Sequence, residues 1–339
     1  MKRILFVCAI LTFGAALFAE EATVVYIDGW VDIRDASGTL SEAWEGDAVT
    51  SGESVITGEA SYAELEKAND AALIRISPDT VFTLEEIAEE SGKREVMRCS
   101  LGSVEFKFNR LVGLEPRIAT PSVVAGVRGT EFTVFAGVDG STLIGVTSGE
   151  VEVTASGESV SLYPDEGVEV LPGGPPGEKF TFILGEIDYS DWNAGRFESF
   201  LADPGAGIRR IGREMDSLIR RIEELHPQYL ERRARLENLR ARLLKIREEE
   251  GKEASSEFYE ERIGPIEAES LALYQNLRYY AVSALYLRQY VMARLYLFVK
   301  AGALKSGDIS GYRMFEEAYD AIIGRFEGSV SPLLSERDI

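Results

Sequence analysis

Apolar and polar residues alternate in short runs along the first half of the chain. Val104-Glu105-Phe106-Lys107-Phe108, Glu131-Phe132-Thr133-Val134 and Val151-Glu152-Val153-Thr154 each place apolar side chains on one face of an extended segment and polar ones on the other. Glycines recur between the runs, at Gly29, Gly46, Gly58, Gly102, Gly140 and Gly157 among others. Such punctuation turns a chain back on itself every few residues. From Thr23 to about Leu171 the pattern predicts many short, half-buried strands. A sandwich, a barrel and a solenoid-like winding all fit that spacing.

The period changes after Leu171-Pro172-Gly173-Gly174-Pro175-Pro176-Gly177, a run that continues neither a strand nor a helix. Lys179 to Ile187 reads as one more strand. Trp192, Phe197 and Phe200 read as an apolar anchor on a short helix that docks the two halves. Beyond Asp203-Pro204-Gly205, the residues Ile208, Ile211, Met215, Leu218, Ile222 and Leu225 step by three and four, the stripe of an amphipathic helix. Pro227 is expected to kink or interrupt that helix, because it lacks an amide hydrogen and crowds the preceding turn. Leu230, Leu236, Leu239, Leu243 and Ile246 resume a similar stripe, flanked by charges of both signs as in a helical hairpin or coiled coil.

A second long helix is predicted from about Ile266 to Lys300, with Leu273, Leu277, Tyr280, Ala284, Leu287, Val291 and Leu295 on one face. Its stretch from Ala281 to Val299 is apolar enough to suggest a membrane span. Arg288 and Arg294 lie inside it, and each is costly near a bilayer centre, so a buried bundle helix is the better reading. Tyr274, Tyr279, Tyr280, Tyr286, Tyr290 and Tyr296 are more tyrosines than one face buries, which points some of them at an intersubunit surface. A last helix, about Tyr312 to Phe326, caps the bundle.

Charge divides the 339-residue chain in the same place. Its net charge is −21, yet residues 20–199 hold 12 Lys/Arg against 34 Asp/Glu, a balance of −22, whereas residues 200–339 hold 22 against 23. An acidic first half repels phosphate backbones, so no nucleic-acid partner is expected. At the N-terminus, Lys2-Arg3 followed by the apolar stretch Ile4 to Phe18 and by Ala19 has the form of a signal peptide cleaved after residue 19. The stretch is too short for an ordinary spanning helix. Cys8 falls inside it, not after it, which argues against lipidation. Cleavage leaves Cys99 alone, without a disulfide partner, and its alternation with Met97 and Leu101 predicts a buried strand position.

The residue types of common catalytic centres are sparse. His226 is the one histidine, and it precedes a proline in a helical region far from Cys99. A Ser-His-Asp or Cys-His arrangement, a Cys/His zinc site, a Walker loop and an EF-hand loop all lack their residues. No enzyme activity, catalytic residue, cofactor or metal is therefore expected. A carboxylate-based hydrolase acting on envelope glycans is a residual reading, because acidic residues are abundant.

One stretch is more specific. Ala119-Thr120-Pro121-Ser122-Val123-Val124-Ala125-Gly126-Val127-Arg128-Gly129-Thr130-Glu131-Phe132-Thr133-Val134 resembles the signature of the FecR family. The segments Gly29 to Arg34, Trp44 to Gly58, Ala72 to Thr80 and Ser148 to Val153 agree with it, so the resemblance spans about Ala22 to Leu171. Where the family often has Asp-Gly-Ser, this chain has Asp70-Ala71-Ala72. The best-known members of the family are periplasmic parts of signalling regulators, some of which control sigma factors through a cytoplasmic segment. A signal peptide directly before the β domain leads to the expectation that no such segment exists here. Within the motif, Gly126, Arg128, Gly129, Thr130 and Glu131 are the candidate site residues. Their expected role is structural: the glycines allow a tight path, and Arg128 and Glu131 satisfy each other or nearby carbonyls. The functional alternative has Arg128 presenting its guanidinium to an anion.

The expected fold class is α+β multidomain, an N-terminal all-β domain followed by an all-α hairpin or bundle. The expected division is a signal peptide at 1–19, a FecR-like β domain at 22–171, a linker and docking segment at 172–203, and a helical domain at 204–330. The expected function is that of an exported, periplasmic or cell-envelope interaction scaffold. Its β domain would bind an envelope protein or polymer, and its helices would form a homo-oligomer or bridge, with no transmembrane helix after signal cleavage. The alternative is a periplasmic ligand sensor relaying to a membrane signalling partner.

Overall fold

The structure, a computed structural model, describes residues 22–89, 92–109, 114–306 and 310–335. The expected signal peptide at residues 1–19 lies outside the described residues. The fold is α+β, a multi-stranded N-terminal sheet followed by a long helical region.

The strands are β1 (Ala22–Asp28), β2 (Val31–Arg34), β3 (Leu40–Glu42), β4 (Ala48–Val49), β5 (Ser54–Thr57), β6 (Tyr62–Lys67), β7 (Ala72–Ile76), β8 (Val81–Glu89), β9 (Gly92–Phe108), β10 (Arg117–Ala119), β11 (Val124–Ala136), β12 (Thr142–Ala155), β13 (Glu158–Leu162), β14 (Glu166–Val170) and β15 (Phe180–Thr181). They form one continuous hydrogen-bonded network whose hub is β9. The first part of β9 pairs antiparallel with β8 and parallel with β10. Its second part pairs antiparallel with β7 and β11. The exchange of partners falls at Gly102, whose φ is +100° and where a Cβ would collide with Thr80. The Thr80 hydroxyl sits there and accepts from the Ser103 amide at 3.0 Å. Only glycine permits both the left-handed backbone and that close approach.

The alternating runs are buried on one face. Val104, Phe106 and Phe108 of β9 meet Phe132 and Val134 of β11 and Val151 and Val153 of β12 in one core that extends from Ala22 to Val170. Phe106 stacks on Phe132 with ring centroids 5.1 Å apart. Cys99 is fully buried, and burial pushes its thiol up to about 12.

The helices are α1 (Tyr189–Ala202), α2 (Pro204–Glu249), α3 (Lys252–Phe258), α4 (Gly264–Tyr286), α5 (Ala293–Ser306), α6 (Ser310–Ser329) and α7 (Ser331–Ser335). Asp203 caps α2 by accepting from the Ala206 amide at 2.9 Å, and Pro204 occupies the first turn. At 1.5 Å per residue, the 46 residues of α2 span about 69 Å. Ile208, Ile211, Met215, Ile219 and Ile222 pack on Leu277, Ala281, Ala284, Leu287, Val291 and Leu295, and on Phe315 and Phe326 of α6. Leu101 of β9 and Val138 of the turn from β11 to β12 belong to the same core. Farther along α2, Leu236 joins Ile263 and Ile266 in a separate small cluster that closes a hairpin with the start of α4.

Two helical expectations change. Pro227 does not interrupt α2, which passes through it. Packing of the flanking turns on α4 and α6 holds the helix together, and the Gln228 side chain donates to the Glu224 carbonyl at 2.8 Å beside the site of the missing amide. The second long helix is not uniformly α: Leu287–Met292 is a π-helical turn that joins α4 to α5, and another, Tyr259–Ile263, precedes α4. Among the described residues no helix is long and apolar enough to cross a membrane.

Candidate functional site

The helical region lies directly on the sheet. Strand β8 would be an open edge along residues 85–89 were it not covered by α4, and the contact is made by specific groups. The Asn276 side chain accepts from the Ala88 amide at 3.2 Å and donates to the Ala88 carbonyl at 3.0 Å, completing the ladder as a further strand would. One turn along α4, Arg98 of β9 donates to Glu85 of β8 at 2.9 Å and to the Ser283 hydroxyl at 2.7 Å. Its guanidinium lies 4.9 Å from the centre of the Tyr279 ring. Arg98 and Glu85 are both buried. Burial works against the Arg98 charge, and Glu85 with Tyr279 more than restores it, so the group stays cationic. Arg34 of β2 packs against the rings of Tyr286 and Tyr290, at 5.6 and 5.5 Å, and the Tyr286 hydroxyl lies 3.2 Å from that of Ser54.

Helix α1 clamps the other end of the sheet. Tyr189 donates to the Ala136 carbonyl at 3.0 Å, Asn193 accepts from the Val138 amide at 2.8 Å, and Trp192 donates to Glu169 at 2.9 Å. Arg196 reaches the buried Asp139 at 3.1 Å. These contacts, together with the shared core, leave the chain from Tyr189 to Asn193 with little freedom to swing.

A cleft opens on each side of the Arg98–Glu85–Tyr279 wall. One, of about 420 Å³, lies between the Asp35–Gly38 turn and the face of α4 that carries Tyr274 and Arg278, with Gln289 of the following π-helical turn. The other, of about 480 Å³, is floored by Thr120, Pro121, Ser122, Val123 and Val124, the first part of the motif, at the turn from β10 to β11. Its roof is α2, through Arg213, Glu214, Ser217, Arg220 and Arg221, and its end wall holds Arg98, Tyr279 and Tyr280. The floor is rigid: the Thr120 hydroxyl accepts from the Val123 amide at 3.0 Å and lies 2.7 Å from that of Thr142, while Ser122 donates to the Gly140 carbonyl at 2.5 Å. Burial favours the neutral form of Glu214 and raises its carboxyl to about 7, against a lesser opposing effect of the Gly173 backbone.

The candidate residues Gly126, Arg128, Gly129, Thr130 and Glu131 run away from this cleft along β11. Gly129, at φ +60°, sits in a bulge between Arg128 and Glu131 opposite β12. Gly149 closes the bulge from β12; a Cβ there would strike the Gly129 carbonyl and the Thr130 side chain. Thr130 is buried. Gly126 has neither a positive φ nor a neighbour that a Cβ would meet, so no special path requires it. Arg128 and Glu131 do not meet. Glu131 faces Lys107 at 3.8 Å, and the exposed Arg128 stands opposite Glu150 in the ladder.

Five arginines reach the motif-floored cleft from elsewhere: Arg98, Arg117, Arg213, Arg220 and Arg221. On periodicity alone, those on α2 fall outside the apolar stripe and read as a solvated flank. A signal was present: residues 208–222 hold five arginines and two acidic residues in a helix that is otherwise evenly mixed. The six tyrosines, some of them expected at an intersubunit surface, all have neighbours within the chain: Tyr279 with Arg98, Tyr280 in the helical core, Tyr274 beside Tyr229, Tyr286 and Tyr290 with Arg34, and Tyr296 beside Tyr319.

The architecture is that of a wound β module with a helical region docked across its β8 edge. Residues 53–152 match the family model described as FecR protein, and this segment is a FecR domain. The match begins at Glu53, so the opening segments from Gly29 to Gly52 lie outside it, while the whole signature from Ala119 to Val134 lies within. Two crystal structures of a candidate anti-sigma factor from Parabacteroides distasonis are similar at 17% identity and a TM-score of 0.32. The similarity covers 38% of this chain and 59% of that one, so the chain spans under two thirds of the length of that protein. No curated protein matches the chain.

Proposed function

We propose that this protein is an exported signalling component of the cell envelope, in which the FecR domain and the helices docked on it form a ligand-responsive unit that relays to a membrane partner. The observation that carries this reading is the cleft between the motif turn Thr120–Val124 and α2, the one of the two clefts between the halves that the family motif floors. A solute held there touches both halves, and so biases how the helical region sits.

The scaffold reading needs helical faces free for self-association. The stripe from Ile208 to Ile222 and the face from Leu277 to Leu295 are instead buried within one chain. Exposed apolar residues stand on α5 and α6, at Leu297, Leu304 and Met314, and on the hairpin of distal α2 and early α4, at Leu230, Leu244, Tyr259 and Leu271. That hairpin is the natural relay arm. The bulge formed by Gly129 and Thr130 has a structural role in this account, since it lies away from the cleft. A non-catalytic role fits the groups present: Cys99 is buried with a raised thiol, and Glu214 is the one carboxylate lining the cleft among the described residues.

Site-specific photo-cross-linkers at Leu244 and Leu271 in intact cells test the proposal. The expected product joins the chain to a membrane protein. A product consisting of this chain joined to itself in near-stoichiometric yield would replace the sensor with the scaffold.

A further inference from the structure

We infer that the motif-floored cleft binds a small polyanion, a solute bearing two or more carboxylate or phosphate charges. The inference rests on the sensor reading and adds the chemistry of its ligand. On a chain of net charge −21, a concave site lined by five arginines and a single carboxylate is a local reversal of sign.

Three of the guanidinium groups are matched within the protein: Arg98 by Glu85, Arg117 by Glu89 at 2.7 Å, and Arg221 by Glu224 at 3.0 Å. The other two are not. Arg213 reaches only the Gly173 carbonyl, at 3.4 Å, and Arg220 has no ion pair or hydrogen bond among the described residues. Both lie on one face of α2, with Ser217 between them at helical spacing. Glu214 does little to offset them, because its burial holds part of the group neutral near pH 7.

Guanidinium forks bind carboxylate and phosphate oxygens in pairs, which suits a planar or tetrahedral oxyanion held between two turns of a helix. The volume, about 480 Å³, suits a small solute. An extended polyanion such as nucleic acid or an anionic membrane would also have to lie along the β half, whose residues 20–199 carry a balance of −22, and is repelled by it.

The test is calorimetric titration of the full-length mature chain at fixed ionic strength, with inorganic pyrophosphate and with propane-1,2,3-tricarboxylate as separate probes. At least one probe is expected to bind at one site, and the double variant R213Q/R220Q is expected to weaken it about tenfold or more. R235Q/R247Q, which removes the same charge from the distal arm, is expected to leave binding unchanged. Pyrophosphate alone binding identifies a phosphate ester, the tricarboxylate alone a polycarboxylate, and both a site selective for charge. The inference is overturned if neither probe binds below about 1 mM, or if the cleft variant binds as the wild type does. In either case a membrane partner cross-linked at Leu244 would leave the sensor reading standing with a different ligand.

Discussion

The two halves of α2 differ in opposite senses: Gly205 to Ile222 holds three glycines and four isoleucines, poor helix formers, whereas Tyr229 to Glu249 is dominated by Arg, Leu, Glu and Ala, which favour a helix. Their burial runs the other way. From Gly205 to Ile222 the helix buries eight residues against α4, α6 and the sheet; from Tyr229 to Glu249 it buries only Tyr229 and Leu236. The first half is held by a shared core and by buried groups at the seam. The second is held by surface ion pairs, Arg232 with Glu269 and Arg240 with Glu267, and by the small cluster around Leu236. One continuous helix thus has a fixed end at the cleft and a lightly held end in solvent. That is the arrangement in which a change at the first end is felt at the second.

The sharpest way to break this contrast is at the buried pair. Arg98→Ala removes one partner of a buried ion pair and leaves Glu85 uncompensated, so urea denaturation is expected to show a loss of about 3–5 kcal/mol. Replacing both, as Glu85→Gln with Arg98→Met, is expected to recover most of it.

Ile219→Ala, at a fully buried position, is expected to cost about 2–5 kcal/mol, while Leu244→Ala, 62% exposed on the same helix, stays within about 0.5 kcal/mol of wild type. Equal losses at the two positions would show that the distal arm is as firmly packed as the seam.

Asn276→Ala strips both hydrogen bonds from the Ala88 peptide, and a loss of about 1–3 kcal/mol is expected. Hydrogen exchange should rise at Ala88 before it rises in the middle of β9.

A smaller effect comes from Glu214. Its folded carboxyl titrates near 7 against 4.5 for the free group, so the native state binds more protons than the unfolded state between those values. Stability is therefore expected to fall as pH rises from about 4.5 to about 7 and then to level off from this group. Glu214→Gln should remove that slope from the urea midpoint, and an unchanged slope would show that the carboxyl is solvated. Smallest of all, Arg240→Ala should leave the urea midpoint unchanged within error in 0.5 M salt, because exposed pairs contribute little and are screened.

Much of the packing was legible in the residues. Ile208, Ile211, Met215 and Ile222 are buried at the spacing that marked them, and Val104, Phe106, Phe132 and Val151 face inward from strands whose alternation is plain. Periodicity reports a face, and a face is what the core uses. It does not report which strand pairs with which. β9 serves two sets of partners on either side of Gly102, a fact fixed by Thr80 more than twenty residues away. The signature was legible as a motif, but the part of it at the cleft is Thr120–Val124, not Gly126–Glu131. Asn276 and the α2 arginines were hidden for a similar reason. Each looks like an ordinary solvated helix residue until the sheet is laid against it.

The central claim is that the cleft at the seam is where a ligand is sensed. Hydrogen exchange of the full chain with and without the polyanion that titrates best tests it most directly. The account predicts slowed exchange confined to the Thr120–Val124 turn and the α2 turns from Arg213 to Arg221, with a change in rate along the distal hairpin. Protection that falls elsewhere on the sheet, with the seam and the hairpin unchanged, would contradict it.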